Sequence, residues 1–231
     1  VCLQEIKSVD EGFPRAAFED LGYRVETHGQ KGFNGVALLS KVPLEDVERG
    51  LPGDDSDAQA RYIEGTVIGP KSALRIASLY LPNGNPIGGD KFAYKLAWMR
   101  RLETHARALL AGEMPFALAG DYNVIPEPRD AKRPAAWVGD ALFQPESRAA
   151  FRALSGLGLT DAIRAMQPAS GLYTFWDYQA GCWQRDDGIR IDHIMLSPQA
   201  ADRLRDTGID RDTRAGEKPS DHVPVWAELD I

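Results

Sequence analysis

Apolar, strand-like segments arrive in close pairs along this chain, and that spacing constrains the fold more than any other feature. "YRVETHG" and "GVALLSK" meet across the turn "QKGFNG", and "RYIEGTVI" and "LRIASLYLP" meet across "GPKSA". Strands joined this closely favour antiparallel pairing, because a parallel pair needs a crossover of about a dozen residues or more. Further strands read at "VCLQEI", "FALAGDYNVI", "YTFWDY", "IRIDHIMLS" and "HVPVWAELDI". Helices are scattered between them. A short one reads at "PRAAFEDLG", with Pro14 in its first turn and Gly22 as its stop. Others fall near 146–156 and 198–205. The strongest helix signal spans 90–111. There Asp90 is a candidate N-cap, and Phe92, Leu96, Met99, Leu102, Ala106 and Leu109 share one face at 3–4 spacing. Regular βαβ alternation is not present. The pattern suits an α/β fold of mixed or antiparallel sheets packed on each other with helices outside. A chain of 231 residues is long enough for one such domain with a full core.

Four places break strand apolarity with acid, amide or imidazole groups. They are Glu5 in "LQEIK", Asp121 with Asn123 in "AGDYNV", Asp192 in "RIDHI", and Asp221 with His222 in "PSDHVPV". One such residue alone is what any strand shows where it surfaces. Four, all at strand ends and from one small set of residue types, suggest a shared site. A hard cation such as Mg²⁺ takes oxygen ligands and keeps several waters, so one or two carboxylates suffice to hold it beside a phosphate. Hydrolysis of a phosphodiester needs an attacking water, an acceptor for its proton and positive groups on the developing charge. Asp121 is the natural acceptor. Asn123, two residues on in an extended strand, would share its face and orient the water. His222 could donate to a phosphoryl oxygen if a carboxylate held its ring and favoured its protonated form, and Asp192 is the candidate. Tyr80 leaves a strand into a Pro-Asn-Gly turn, where it reads either as a phosphate donor or as a core tyrosine.

Bulk composition narrows the partners. The 34 acidic and 27 basic residues leave a net charge of −7. This balance disfavours a broad basic coat for nucleic acid but leaves room for a local basic groove. Two cysteines, Cys2 and Cys182, are too few for a disulfide framework and lack metal spacing, which points to a cytoplasmic setting. No apolar run approaches the roughly 18–20 residues of a membrane span. The long segment 126–146, rich in proline and charge, reads as a functional loop.

In this order, "LQEIK", "LYLPNG", "GDYNV", "YTFWDY", "RIDHIMLS" and "SDHVPV" resemble the exonuclease III branch of the endonuclease/exonuclease/phosphatase superfamily, the abasic-site DNA repair nucleases. The resemblance spans nearly the whole chain. "GDYN" alone is weak, whereas "RIDH" followed by "SDHVPV" is specific to the superfamily. It implies a deoxyribonuclease-I-like sandwich, a Mg²⁺ or Mn²⁺ cofactor, a monomer, and duplex DNA with an abasic site or a 3′ end as partner. Cleavage would fall 5′ to the abasic site and leave a 3′-hydroxyl, with 3′→5′ exonuclease activity besides. Carried over position by position, Glu5 matches the metal-binding acid and Tyr80 the phosphate-contacting tyrosine. Asp121 matches the acid that activates water, with Asn123 beside it. Asp192 matches the acid that orients the catalytic His222, and Asp221 the acid next to it near the metal. Asp121, Asn123 and His222 are counted with Glu5 and Asp221 around the ion.

Phe175 and Trp176, with Ile189 and Ile191, match the apolar walls of a pocket for the extruded abasic sugar; plain core packing is their other reading. Extruding a sugar that has lost its base costs less than extruding an intact nucleotide. Lys132, Arg133, Arg185 and Arg190 are candidate phosphate grips, or solvated surface charge. The resemblance also implies a further strand and helix, roughly 25–30 residues by ordinary element sizes, before the strand that ends in Glu5. A chain lacking them is expected to be weakly active or inactive. Two alternatives remain at this level: a phosphodiesterase on another substrate, and a non-catalytic RNA-binding regulatory member of the same fold.

Overall fold

The computed structural model describes residues 1–231. Its elements are β1 (Cys2–Gln4), α1 (Arg15–Glu19), β2 (Arg24–His28), β3 (Val36–Ser40), β4 (Leu44–Arg49), β5 (Tyr62–Ile68), β6 (Ala73–Tyr80) and α2 (Asp90–Ala111). They continue with β7 (Phe116–Asp121), α3 (Pro145–Ser155), β8 (Thr160–Asp161), α4 (Ala162–Met166), β9 (Asp192–Leu196), α5 (Pro198–Ala201), β10 (Leu204–Ile209) and β11 (Val225–Leu229).

The paired segments do close antiparallel: β2 on β3, and β5 on β6. A six-stranded mixed sheet runs β4-β5-β6-β7-β9-β8, and a second layer is made of the ladders β1-β3-β2 and β10-β11. Only β6 and β7 are parallel, and the crossover between them is α2. Alternation decides which residues face which layer. Ala77, Leu79, Leu118 and Met195 face the helices and pack with Trp98, Met99, Leu102, Phe151 and Leu154. The opposite face carries Ile76, Ala117, Ala119 and Ile194, which pack against Val225, Ala227 and Leu229 of β11. Val36 and Leu38 of β3 meet Ile63, Ile76 and Tyr80 on that same side. The result is the expected α/β sandwich with helices outside.

Three local expectations change. The buried stripe of α2 is Lys95, Trp98, Met99, Leu102 and Ala106, while Phe92 and Leu96 are only half-buried. Gly89 rather than Asp90 occupies the N-cap. "YTFWDY" is not a strand, because only Phe175 makes bridges, to Ile189 and to His222. The charged β4 was not anticipated. It is an edge strand, where charge discourages pairing with other chains.

Candidate active site

Parallel strands finish at the same edge of a sheet. The C-terminal residues of β6 and β7 are Tyr80 and Asp121, and they stand directly paired. Strand β9 runs the other way, so its first residue, Asp192, arrives at that edge opposite Asp121. Tyr80, Asp121 and Asp192 thus form one row on the face that looks toward the second layer. Gly120 makes the close β6–β7 approach possible here. Its φ is +150°, and a Cβ would lie 1.9 Å from the Leu79 carbonyl oxygen. The second layer supplies the remaining groups. Glu5 follows β1 in a left-handed conformation, φ +50°, and accepts a hydrogen bond from the Tyr80 hydroxyl at 2.8 Å. His222 precedes β11, and its Nδ1 meets both carboxylate oxygens of Asp192 at 2.9 and 3.1 Å. The four interruptions of strand apolarity therefore converge.

Burial and neighbouring charges shift these groups in different directions. Burial disfavours charge on His222, but Asp192, with Asp121 and Asp221 behind it, outweighs burial and raises the imidazole to about 10. The ring is a cation at neutral pH, so Nδ1–H donates to Asp192 and Nε2–H is left to donate elsewhere. Asp121 is 4% exposed. Burial pushes its carboxyl up to about 7, against the pull of His222. Burial also works against Glu5, but hydrogen bonds from Lys7 and Tyr80 hold that carboxyl below its ordinary value. The Tyr80 phenol is pushed up, first by burial and then by Glu5, and so remains a donor.

Two roles differ from expectation. Strand β7 ends at Asp121, and Asn123 reaches it through a left-handed turn, φ +47°, rather than by alternation along a strand. The Asn123 backbone N–H donates to Asp121 at 2.8 Å. Its side-chain amide donates to Asp121 and to the Leu81 carbonyl at 3.0 and 2.9 Å, while its oxygen accepts from Asn83 at 3.2 Å. Both ends of the Asn123 amide are hydrogen-bonded, and it braces Asp121. Tyr80 likewise spends its proton on Glu5. Sequence reasoning passed over Asn83, Arg61 and Lys7. Asn83 sits in the same Pro-Asn-Gly turn that drew attention to Tyr80. Arg61 lies 4.9 Å over the Tyr80 ring and donates to its carbonyl at 3.2 Å. Lys7 pairs with Glu5 at 2.9 Å. Lys95 is fully buried behind the Asn83–Asn123 pair, where burial draws its ammonium down to about 7 against Asp121 and Asp140.

The expected sugar-pocket walls are mostly core. Trp176, Ile189 and Ile191 are 0, 1 and 2% exposed. Trp176 packs with Tyr173 and Val223, and the two isoleucines pack with Ile125, Leu142 and Phe143. Phe175 alone reaches the site, its ring 5.0 Å from that of His222. The phosphate grips divide similarly. Lys132 is exposed. Arg133 and Arg185 are exposed but share Asp187. Arg190, 2% exposed, is no grip at all. Its Nε bonds Asp130 at 2.7 Å and its Nη1 bonds Asp161 at 2.6 Å, fastening the 126–146 segment to β8 and β9. Breaking a buried ion pair leaves an uncompensated charge and costs about 3–5 kcal/mol. Arg190→Ala is therefore expected to lower the unfolding free energy by that order, and an unfolding free energy within experimental error of wild type would refute this role.

No three acidic, imidazole or thiol side chains gather closely enough to enclose a metal ion. The donor set nonetheless suits Mg²⁺ or Mn²⁺. Glu5 offers a carboxylate 35% exposed, and Asp221 lies near enough to influence both Lys7 and His222. Mg²⁺ takes one or two carboxylates and completes its shell with water. His222 turns Nδ1 to Asp192, which leaves Nε2 as its one free ring nitrogen.

Comparison with known proteins identifies the family and the fold. The chain matches the Endonuclease/Exonuclease/phosphatase family over residues 1–222. It is 38% identical to the exodeoxyribonuclease III of Haemophilus influenzae over 235 residues, covering 98% of this chain and 88% of that protein. It superposes on a 3′-5′ exonuclease from Neisseria meningitidis with a TM-score of 0.94 at 39% identity, covering 100% of this chain and 88% of that one. An AP endonuclease from Archaeoglobus fulgidus gives a TM-score of 0.93 at 35% identity, with the same coverage. The motifs, the sandwich and the convergent site lead to one conclusion: the chain belongs to the endonuclease/exonuclease/phosphatase family, within which it is similar to the exodeoxyribonuclease III and AP endonuclease members.

Proposed function

We propose that this protein is a divalent-metal-dependent DNA repair nuclease that cuts duplex DNA 5′ to an abasic site and removes nucleotides from 3′ ends. The observation that carries this reading is the convergence of a buried acid, Asp121, and an imidazolium, His222 held by Asp192, at the sheet edge where Glu5 offers an exposed carboxylate. Its relatives, an exodeoxyribonuclease III and an AP endonuclease, support the substrate class.

In this mechanism Asp121, as the carboxylate, takes a proton from water, whose oxygen attacks phosphorus. The bond from phosphorus to the 3′ oxygen of the upstream nucleotide breaks. That oxygen leaves, takes a proton and becomes the 3′-hydroxyl. Asn123 fixes the rotamer of Asp121 from two sides. His222 donates Nε2–H to a non-bridging phosphoryl oxygen, where charge develops. Tyr80 and Lys7 orient Glu5, which with Asp221 would hold Mg²⁺ or Mn²⁺. Bound there, such an ion would supply Lewis-acid stabilisation of the charge that develops on the phosphate. Phe175 lies against His222, where it forms the apolar side of the abasic-sugar site, and Lys132 is the free cation for a flanking phosphate.

The test is incision of a duplex carrying a single abasic site by the full-length protein, with Mg²⁺ and with excess chelator. Cutting directly 5′ to the lesion, leaving a 3′-hydroxyl and vanishing with chelator, is the expected result. Failure to cut in Mg²⁺ or Mn²⁺, or cutting unaffected by chelator, would refute the reading.

A further inference from the structure

Lys95 is the least expected residue in the core of this protein. It lies on the buried stripe of α2 and is 0% exposed, in the neighbourhood of Trp98, Met99 and Leu102. Burying an ammonium is costly unless its protons find acceptors. No carboxylate bonds it. Its Nζ donates instead to three backbone carbonyls: Pro82 at 3.1 Å, Asn83 at 3.1 Å and Asn123 at 2.6 Å. An ammonium has three donors, and all three are used.

Those carbonyls belong to the two loops that leave the parallel pair β6 and β7. One loop carries Asn83, the other Asn123, and the two side chains meet at 3.2 Å on the site side. Asn123 in turn makes two hydrogen bonds to Asp121. A single buried amino group behind the site thus ties both loops together, and the same loops meet again in front of it. The chain makes room for this arrangement at Gly84, whose φ is +91°, where a Cβ would lie 2.6 Å from Lys95 Cδ. A core that needed only apolar filling here would take Leu or Met, and neither would order two loops.

We infer that Lys95 is a positioning residue: by holding the Pro82, Asn83 and Asn123 carbonyls it fixes the Asn83–Asn123 pair and, through it, the orientation of Asp121 required for phosphodiester cleavage. The residue does not touch substrate. Misplacing a reacting group by about 1 Å can cost about 10²-fold in rate, so loss of the pin acts on turnover rather than on DNA binding. This inference rests on the nuclease reading of the site.

Lys95→Met tests it against Met99→Ala, a change in the same helix and the same core. Both are expected to lower the melting temperature. Assayed well below both midpoints on the abasic duplex, Lys95→Met is expected to lose about 10²-fold in kcat with KM within threefold of wild type. Met99→Ala is expected to stay within threefold in both. The side-chain amide NMR signals of Asn83 and Asn123 should move in Lys95→Met and hold in Met99→Ala. If Lys95→Met does not fold, Lys95→Gln keeps two donors for the carbonyls and is expected to fold and lose about tenfold in kcat. An unchanged kcat in a folded Lys95 variant, an equal loss in Met99→Ala, or unmoved amide signals would overturn the inference. Wild-type protein that cuts nothing would sink the nuclease reading instead, and the amide signals would still report on the lysine.

Discussion

Asp121→Asn is expected to lower kcat by about 10²–10⁴-fold while leaving affinity for abasic DNA within a few-fold, because it removes the proton acceptor and little else. The side chain is nearly isosteric, so the row formed with Tyr80 and Asp192 should persist. The Asn123 donors reach the two Asp121 oxygens separately, at 2.8 and 3.0 Å, so the new amide keeps one of these hydrogen bonds and loses the other. A second consequence separates chemistry from folding. Burial raises the Asp121 carboxyl to about 7 in the folded protein. A raised acid binds its proton more tightly folded than unfolded, so its ionisation destabilises the fold as pH climbs from about 4 to about 7 and above. In metal-free buffer at pH 8, Asp121→Asn is therefore expected to melt no lower than wild type despite its lost activity. A variant that lost activity only in step with its melting temperature would contradict this account.

Asp192→Asn is expected to have an effect of similar size, about 10²–10⁴-fold in kcat at pH 8, by a different route. Asp192 keeps His222 charged. With the carboxylate gone, burial dominates and the imidazole falls to or below its ordinary value near 6.5, so the phosphoryl donor is neutral at pH 8. The ratio of variant to wild-type activity should then rise as pH is lowered toward 6. In wild type the raised value places loss of the donor near pH 10. A bound divalent ion would draw Asp121 downward, so this alkaline limb is the cleaner readout. The same linkage fixes the stability trend. The Asp192–His222 pair contributes stability in full below about 6.5 and loses it as pH rises through about 10. A pH profile for Asp192→Asn parallel to that of wild type would show that Asp192 does not act through His222.

What the sequence disclosed, and what it hid, follows from how each residue solves the problem of burial. Glu5, Asp121, Asp192 and His222 were legible because each interrupts an apolar strand, where a charged group needs a reason. That they meet was not legible, because it depends on the parallel β6–β7 pair and the reversed β9. Lys95 and Arg190 were misjudged for the opposite reason. A charged side chain is assigned to the surface by default, so the stripe on α2 was drawn through Phe92 and Leu96 instead of Lys95 and Trp98. Their partners are carbonyls from loops 12 to 28 residues away for Lys95 and carboxylates 60 and 29 residues away for Arg190. No local pattern announces such pairings. "YTFWDY" has the aromatic content of a strand, but its only strand-like contacts are single bridges at Phe175.

The central claim is that residues from both layers act as one site, and single-turnover kinetics of a double variant test it most directly. Asp121→Asn, His222→Gln and the combination of the two should be compared on a duplex with one abasic site at saturating enzyme and Mg²⁺. Groups that act on one transition state are strongly non-additive. The double variant is therefore expected to be within about tenfold of the slower single variant. Losses that multiply fully, as for two independent sites, would contradict the account.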